Sequence, residues 1–566
     1  MYGLIAIVMN KRSEDTPCYV VEFPLKVEIW QAHIIDKRLE LLRRIYNYAQ
    51  RKLLDQYNYM ARMRSYQDCK TKKQRADFLK EYKFPLPIDG DTQELNFSKF
   101  GINSWLSKLC KNRLSAEKRY KDFGINSSHC EAVGLQLWQS WEKFLFDFDC
   151  KKVSFCRKGE FSSFAVRTKN GRLNGIGFDF EKLIFKLNIN GCLGKNAQYL
   201  CLPLKYNSSH EYEAHALHGG LESIRVARLV RRLVRGKSKY YLQLTIEGVP
   251  FSKGRFLGEG RVGIDLGPSK VAVASANSVG LLQLASKVDF QEREIRILQR
   301  KIDRSRRATN PEHFNSDGTI KKCFKKWNKS NRYIVLKKRL SELKRKQAAV
   351  RKAEHIALAN HLLSSGDDFI IENNSVKGWS ANARTAKKNE RTGRFVSKHR
   401  FGKTVGNHAP STFVTILQNK VQSLGGSFTK VDCKNAATQF DFTNGMFVKH
   451  DLKARSITLS DGVTHQRDML SAFNLQHLDL TSEQLKEYDI ESMKKDYDHF
   501  IELEQIAIKK GVVLAPAVAN CPIEGIDCEF LQERKTQKRT ARQRALRKFF
   551  STDEQQTSSF YGYYSG

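Results

Sequence analysis

Three acidic residues lie in apolar surroundings, where an unpartnered charge would be costly. Asp265 interrupts the alternating apolar residues of RVGIDLG, residues 261–267, a pattern that predicts a half-buried strand. Glu372 ends the apolar stretch DFIIE, and Asp468 lies in the first turn of a predicted helix that begins RDMLSAFN. A buried carboxylate needs a partner, either a metal ion or an Arg or Lys side chain. The three acids are therefore candidates for metal chemistry.

The neighbours of Glu372 and Asp468 add detail to this hypothesis. Glu372 is followed by Asn373, Asn374 and Ser375 at the carboxyl end of its predicted strand, where α/β folds place reactive groups. A carboxylate at the Asp468 position stays ionised readily, because the helix dipole favours negative charge at a helix N-terminus. As a simple N-cap, however, Asp468 would need no function. Each motif by itself is thus open to a structural interpretation.

The composition indicates a folded protein that binds a polyanion. Lys and Arg number 98 against 60 Asp and Glu, a net charge of +38, and 40% hydrophobic residues exclude a mostly disordered chain. Nucleic-acid phosphates are the commonest counter-charge, with an acidic protein or an anionic membrane as alternatives. The apolar start at residues 3–9 is too short to span a bilayer, and it lacks the n-region and the small-residue cleavage site of a secretory signal, so we expect no membrane association.

The twelve cysteines contain no C-x-x-C pair, so they support neither a zinc ribbon nor a redox motif. A chain of this length can bury a core without disulfide bonds. We therefore expect structural thiols in an intracellular protein.

The amino-terminal half alternates between strand and helix patterns. A strand is predicted over residues 18–29, helices over residues 30–148 and short strands over residues 150–249. The last two of these strands form a predicted hairpin that turns at Gly236. Arginines on this hairpin are candidates for phosphate contact, although a solvated basic face is the alternative. They are Arg225, Arg228, Arg231, Arg232 and Arg235.

Further basic and acidic segments follow. Residues 291–354 contain 21 Lys and Arg against 7 Asp and Glu. The spacing of the apolar residues in this segment predicts one long amphipathic helix, whose basic face we expect to lie along nucleic-acid phosphates. Candidate contacts on it are Arg332, Lys337, Lys338, Arg345 and Arg351. The pattern of residues 483–504 predicts an acidic helix with a solvated face. Residues 533–548 are predicted to form a basic arm, which is followed by a disordered end.

Taken together, the three acidic motifs resemble the RuvC nuclease core of TnpB transposon-encoded nucleases and of the type V CRISPR effectors related to them. The matching segments are GIDLG at residues 263–267, IENNSVKG at 371–378 and RDMLSAFN at 467–474. The resemblance covers about residues 18–478 and implies an α/β multidomain protein with an RNase H-like nuclease domain, a β-barrel wedge domain and a helical recognition domain.

The resemblance also implies a function. Asp265, Glu372 and Asp468 would hold two Mg²⁺ ions, for which Mn²⁺ could substitute, and the site would hydrolyse DNA phosphodiesters. Guide RNA and target double-stranded DNA would be the partners, with the guide reading sequence by base pairing and the protein reading a short flanking motif. We expect a prokaryotic, nucleoid-associated protein of the cytoplasm. The sequence leaves monomer and homodimer open.

The resemblance divides the chain into seven segments. They are residues 1–30, the first strands of the wedge domain; 31–149, the helical recognition domain; 150–258, the wedge β-barrel; 259–429, the RuvC domain with basic inter-motif helices; 430–464, a zinc-free substrate-loading module; 465–480, the third RuvC motif; and 481–566, a C-terminal extension.

The sequence departs from the family pattern near the third acid. The family's two C-x-x-C pairs are absent from residues 430–467, where Cys433, His450 and His465 match no zinc template, so no zinc is predicted. Gln466 and Leu470 stand where the family has an acid and an Asn. Three alternatives to guided cleavage therefore stay open: RNA-guided binding with little cleavage, an RNA-binding or architectural protein with an incidental RNase H-like fold, and an unguided transposase or resolvase.

Overall fold

The computed structural model describes 17–88, 91–110, 125–147, 150, 152–169, 172–173, 176–179, 181–189, 196, 198–207, 209–220, 223–316, 318–321, 326–381, 401–451, 454–481 and 487–509. The chain divides into two compact units. Unit 1 comprises Met1–Arg255 and Glu294–Arg345, and unit 2 comprises Phe256–Arg293 and Lys346–Gly566. Within the described residues, no helix is long and apolar enough to cross a membrane.

The helical region predicted after residue 30 is confirmed in unit 1. The helices of this region are α1 (Ile29–Met60), α2 (Arg64–Gln67), α3 (Lys72–Glu81), α4 (Lys99–Leu109) and α5 (Ser127–Phe146). A further helix, α6 (Glu211–His218), lies in the region that was predicted to contain only short strands. Helix α1 begins at a capping box in which Glu28 and Gln31 satisfy each other's backbone amides. Its apolar face packs with Trp105 of α4 and Trp141 of α5, which are both fully buried. Burial of this stripe, rather than helix propensity, supplies most of the stability of such helices.

The strands of unit 1 form two larger sheets and a hairpin. They are β1 (Cys18–Pro24), β2 (Lys83–Ile88), β3 (Asp91–Asn96), β4 (Ser163–Lys169), β5 (Arg172–Leu173), β6 (Ile176–Asp179), β7 (Ile184–Asn188), β8 (Tyr199–Pro203), β9 (Ile224–Val234) and β10 (Lys237–Glu247). The first sheet has the order β1-β10-β9-β4-β5, the second β6-β7-β8, and β2 pairs with β3. The predicted strand over residues 18–29 is too long: β1 ends at Pro24, which has no N–H for the ladder. The β2–β3 hairpin interrupts the region that was predicted to be helical.

The arginine hairpin turns at Gly236, as predicted. Arg235 and Gly236 join β9 to β10 with positive φ angles of 53° and 77°. Positive φ at both central residues is the backbone of a type I′ turn, whose twist matches that of the flanking strands. The two strands of this hairpin, β9 and β10, are neighbours in the interior of the first sheet.

The single long basic helix predicted for residues 291–354 is wrong. Two helices occur, α7 (Glu292–Thr309) and α8 (Asn331–Leu362). The break follows from Asn310 and Pro311, since proline cannot continue a helix and the buried Asn310 amide bonds the carbonyls of Arg306 and Asn328. Leu298 and Ile302 of α7 pack against Leu340 of α8.

Unit 2 is built on a five-stranded mixed sheet. Its strands are β11 (Arg261–Leu266), β12 (Lys270–Ser275), β13 (Ser278–Gln283), β14 (Asp368–Glu372) and β15 (Ser427–Val431), in the order β13-β12-β11-β14-β15. Strands β11, β14 and β15 are parallel, whereas β12 and β13 run antiparallel as a meander. The sequence-predicted strands around Asp265 and Glu372 are thus confirmed.

Helices cover both faces of this sheet. They are the C-terminal half of α8, α9 (Val376–Ser380), α10 (Gly402–His408), α11 (Pro410–Ser423), α12 (Arg467–Gln476) and α13 (Ile490–Lys509). On one face, Ile264 and Ile371 pack with Leu358 of α8 and Leu417 of α11. On the other, Ala272 packs with residues of α12 and α13. The sheet is therefore buried on both sides, as its apolar strands require.

Short strand pairs occupy the region predicted as the substrate-loading module. They are β16 (Phe440–Asp441) with β17 (Met446–Phe447) and β18 (Ser456–Thr458) with β19 (Thr464–Gln466). The predicted acidic helix is α13. Its acidic residues do not all lie on a solvated face, because Glu504 is 3% exposed. The predicted basic arm at residues 533–548 and the predicted disordered end lie outside the described residues.

Candidate nuclease active site

Two of the three predicted acids come together through strand register. Ile264 of β11 lies opposite Ile371 of the parallel strand β14, so the next residues, Asp265 and Glu372, are neighbours at the carboxyl ends of both strands. Ile264 and Ile371 belong to the core on one face of the sheet. Because side chains alternate along a strand, Asp265 and Glu372 point to the opposite face.

Helix α12 lies on that face and brings the third acid. Its close approach depends on Gly263, since a Cβ atom there would lie 2.0 Å from the Ala472 carbonyl oxygen and 2.5 Å from the Gln476 nitrogen. Asp468 is in the first turn of α12. The helix is capped by the Gln466 side chain, which accepts a 2.7 Å hydrogen bond from the Met469 amide. The alternative interpretation of Asp468 as the N-cap is therefore wrong.

The three carboxylates act on one another electrostatically. The Asp265 side chain keeps partial solvent contact, but dense protein surroundings and then the negative charges of Glu372 and Asp468 raise its pKa to about 7. A hydrogen bond with Ser471 and the Arg467 charge act in the other direction. Burial likewise raises the pKa of Glu372, against hydrogen bonds from Asn374 and the Ala437 amide. The site thus concentrates negative charge that a cation would relieve.

Arg467 is the immediate counter-charge of Asp468. Its Nε and Nη2 atoms donate to Asp468 Oδ1 at 3.0 and 2.8 Å, while Gln466 Nε2 is 3.4 Å and Arg455 Nη1 4.0 Å from Oδ2. The Arg partner that is the alternative to metal binding therefore contacts Asp468 rather than Asp265. Among the described residues, no three or more His, Cys, Asp or Glu side chains are grouped closely enough to hold a metal ion as they stand.

The donor set nonetheless fits a hard divalent cation in type and charge. Three carboxylates, with no thiolate or imidazole among them, are the ligands that Mg²⁺ prefers. Asp265 is the member whose pKa is raised by both of the other acids. Sequence reasoning missed Arg467 and Ser471 as members of the site. Their closeness in sequence to Asp468 could have identified them, since both lie within three residues of it in the third motif.

The hairpin arginines differ in what they contact. Arg225 pairs with Glu247 at 2.7 Å, Arg231 with Asp36 at 3.0 Å, and Arg232 with Glu22. These three guanidinium groups help hold unit 1 together. Arg228 and Arg235 have exposed side chains and remain the hairpin's candidates for phosphate contact.

The basic residues of α8 divide in the same way. Arg332, Lys337 and Lys338 are exposed on the helix, whereas Arg345 pairs with Glu342 at 2.7 Å. Arg351 donates to the carbonyls of Gly406 and Asn407 at 2.9 and 3.1 Å, near the C-terminus of α10. Burial lowers the pKa of the Arg351 guanidinium. Arg351 thus acts as a structural cap.

A buried polar network joins the two strand pairs of residues 440–466. Asp441 accepts hydrogen bonds from the amides and hydroxyls of Thr443 and Ser460 at 2.5–3.0 Å. Burial acts to raise the pKa of Asp441, but these four hydrogen bonds outweigh it and lower the pKa. This carboxylate network links two loops without any cysteine.

Comparisons with known proteins complete the description of the site. No family model and no curated protein matches the chain. A cryo-EM structure of a Cas12f1–sgRNA–target DNA complex is similar over 81% of this chain and 99% of that chain, at 12% identity and a TM-score of 0.41. A CRISPR–Cas12f ternary complex is similar over 81% and 82%, at 14% identity and a TM-score of 0.26.

Proposed function

We propose that this protein is an RNA-guided DNA endonuclease with a RuvC-type active site. The observation that carries the proposal is the convergence of Asp265, Glu372 and Asp468 on one face of the unit 2 sheet, with register and a glycine contact bringing them there. The net charge of +38 supports binding to a large polyanion. The similar Cas12f1 complex contains sgRNA and target DNA, and guide RNA with double-stranded DNA is the pair of partners that we infer here.

In this proposal the protein's own residues prepare the site for phosphodiester hydrolysis. Asp265, Glu372 and Asp468 would hold the cations, and the Ser471 hydroxyl would orient the Asp265 carboxylate. Arg467 would balance the Asp468 charge until the cation binds. Bound Mg²⁺ would lower the pKa of an attacking water and stabilise charge on the attacking and leaving oxygens. Exposed basic residues such as Arg228 and Lys337 would contact nucleic-acid backbone.

The predicted division into wedge, recognition, nuclease and substrate-loading domains is part of this proposal, as is a location with the nucleoid in a prokaryotic cytoplasm. Unit 2 would contain the nuclease chemistry, since all three acids belong to it. Unit 1 would contain the arginine hairpin and the candidate recognition helices.

The test begins with purification of the full chain and sequencing of the RNA that accompanies it. The recovered RNA then guides cleavage of a matched plasmid with Mg²⁺, using wild type and the Asp265→Asn, Glu372→Gln and Asp468→Asn variants. We expect a discrete RNA, cleavage by wild type, and loss of cleavage with retained target binding in each variant. Absence of a discrete RNA would overturn guidance, and cleavage by all three variants would overturn the assignment of the site.

RNA-guided binding with little cleavage is the second candidate. It is favoured by the Arg467 fork on Asp468, which occupies an oxygen that the cation would need. The same experiment separates the two, because this candidate predicts target binding without a cut in Mg²⁺ or Mn²⁺. An unguided transposase would instead act on DNA without any RNA.

A further inference from the structure

Helix α13 contains a buried carboxylate that the three-acid site does not use. Glu504 is 3% exposed and lies on the side of α13 that packs against the rest of unit 2. Its Oε1 accepts a 2.7 Å hydrogen bond from the Gln466 backbone amide, and its Oε2 lies 2.7 Å from His465 Nδ1. A buried carboxylate is costly unless such hydrogen bonds compensate for its lost hydration. Both oxygens of Glu504 are thus committed to one short segment, residues 465–466.

The imidazole of His465 is held from its other side as well. His465 is 1% exposed, and its Nε2 lies 2.8 Å from the Tyr497 hydroxyl. That hydroxyl donates its single proton to Asp461 at 2.7 Å, so towards His465 the phenol oxygen is an acceptor. Each ring nitrogen of His465 therefore faces an acceptor, with Glu504 on one side and Tyr497 on the other. The network fixes the ring position and ties α13 to β19.

Residue 466 connects this network to the proposed metal ligand. Gln466 is the N-cap of α12, and its side chain bonds the Met469 amide at 2.7 Å while its Nε2 lies 3.4 Å from Asp468 Oδ2. Glu504 holds the backbone of the same residue. One carboxylate on α13 therefore binds the backbone of the residue that caps α12, and the first turn of α12 contains Asp468.

We propose that Glu504 is a positioning residue of the nuclease site, which holds the β19–α12 junction so that Asp468 meets Asp265 and Glu372. The inference rests on the proposed function, because it assigns Asp468 to metal binding. The rest of α13 packs through apolar side chains such as Met493, Phe500 and Ala507. Helix α13 is thereby part of the catalytic unit rather than an appendage to it.

The test uses Glu504→Gln and Glu504→Ala in the full chain, with Glu502→Gln as a matched control. Glu502 is on the same helix and its side chain is 75% exposed. Four quantities are measured: hydrogen exchange of the amides at residues 466–469, Mn²⁺ affinity by electron paramagnetic resonance, the cleavage rate of bound target, and the target Kd. The first two need no cleavage activity.

We expect the Glu504→Ala variant to exchange these amides faster and to lose about 10- to 100-fold in Mn²⁺ affinity or cleavage rate, the usual effect of removing a ligand's supporting partner. Target Kd should stay within about twofold of wild type, which a general loss of folding would not allow. Glu504→Gln should show smaller losses than Glu504→Ala, since its carbonyl oxygen still accepts a hydrogen bond from the Gln466 amide. Glu502→Gln should behave as wild type.

Two results would overturn the inference. One is unchanged exchange at residues 466–469 and unchanged Mn²⁺ affinity in Glu504→Gln and Glu504→Ala. The other is an equal fall in target binding and cleavage, which marks a structural role only. If wild type binds guide and target without cleaving, the proposed function fails, while the exchange and Mn²⁺ measurements still decide the role of Glu504. If Glu504→Ala does not fold, Glu504→Gln supplies the same readouts.

Discussion

Replacing Gly263 by alanine should move Asp468 away from the other two acids and slow cleavage, with little effect on nucleic-acid binding. The added Cβ would lie 2.0 Å from the Ala472 carbonyl oxygen and 2.5 Å from the Gln476 nitrogen, both backbone atoms of α12. Non-bonded contacts shorter than 3.0 Å essentially never occur at Cβ, so strand and helix must separate by roughly 1 Å. Overpacking of this kind costs about 1–3 kcal/mol of stability.

The same displacement moves Asp468 away from Asp265. A catalytic group misplaced by about 1 Å can lose about 100-fold in rate. We therefore expect Gly263→Ala to cleave guide-matched DNA about 100-fold more slowly, while the dissociation constants for RNA and target stay close to those of wild type. Gel-based single-turnover cleavage and filter binding measure the two quantities.

Gly406→Ala is the matched control. Gly406 is an exposed residue of α10 in the same unit, its φ is not in the left-handed region, and no atom lies within 4 Å of the Cβ that alanine would add. Its helix should gain up to about 1 kcal/mol from the substitution. The reasoning is refuted if Gly263→Ala cleaves as fast as Gly406→Ala while both variants are folded by circular dichroism.

Three other substitutions test the wedge and module assignments. Arg228→Ala should weaken RNA binding and reduce the slope of log K against log salt by about 1, as for the loss of one phosphate contact. Arg231→Ala should instead lower thermal stability, because it leaves Asp36 without its 3.0 Å ion pair; similar salt slopes in the two variants would contradict the distinction. Asp441→Asn should cost about 1–3 kcal/mol of stability at neutral pH, because an amide nitrogen then faces donors. Since hydrogen bonds lower the pKa of Asp441, its stabilisation is present above the unfolded pKa of about 4 and is lost as pH falls through the lower folded value. Melting temperatures from pH 3 to 7 should therefore converge for wild type and Asp441→Asn at the acid end, and parallel curves would contradict this.

The local patterns of the chain were sufficient to locate the three acids and the type of element around each. Alternation predicted the strands at Asp265 and Glu372, and helical spacing predicted the helix after Asp468, because periods of 2 and 3.6 residues are written into the order of side chains. The hairpin turn at Gly236 was likewise predictable, since its backbone conformation depends on two adjacent residues.

Contacts between distant residues escaped this reasoning. A continuous basic pattern hid the end of α7, which depends on two hydrogen bonds between Asn310 and Asn328, 18 residues apart. Neighbouring arginines of the hairpin make different contacts, because Asp36 and Glu22 pair with Arg231 and Arg232 from positions about 200 residues away. Glu504 belongs to an acidic segment that predicts a solvated face, but its side chain is buried in the folded protein.

The order of residues therefore specifies which groups are available for chemistry: three carboxylates in apolar motifs and a large positive charge. Which of their atoms meet depends on the folded chain. It placed Ile264 in register with Ile371, let α12 approach at Gly263 and brought Glu504 to Gln466 across 38 residues. Such pairings form where the free energy of burial exceeds the entropy of closing a long loop, and no local pattern reports that balance.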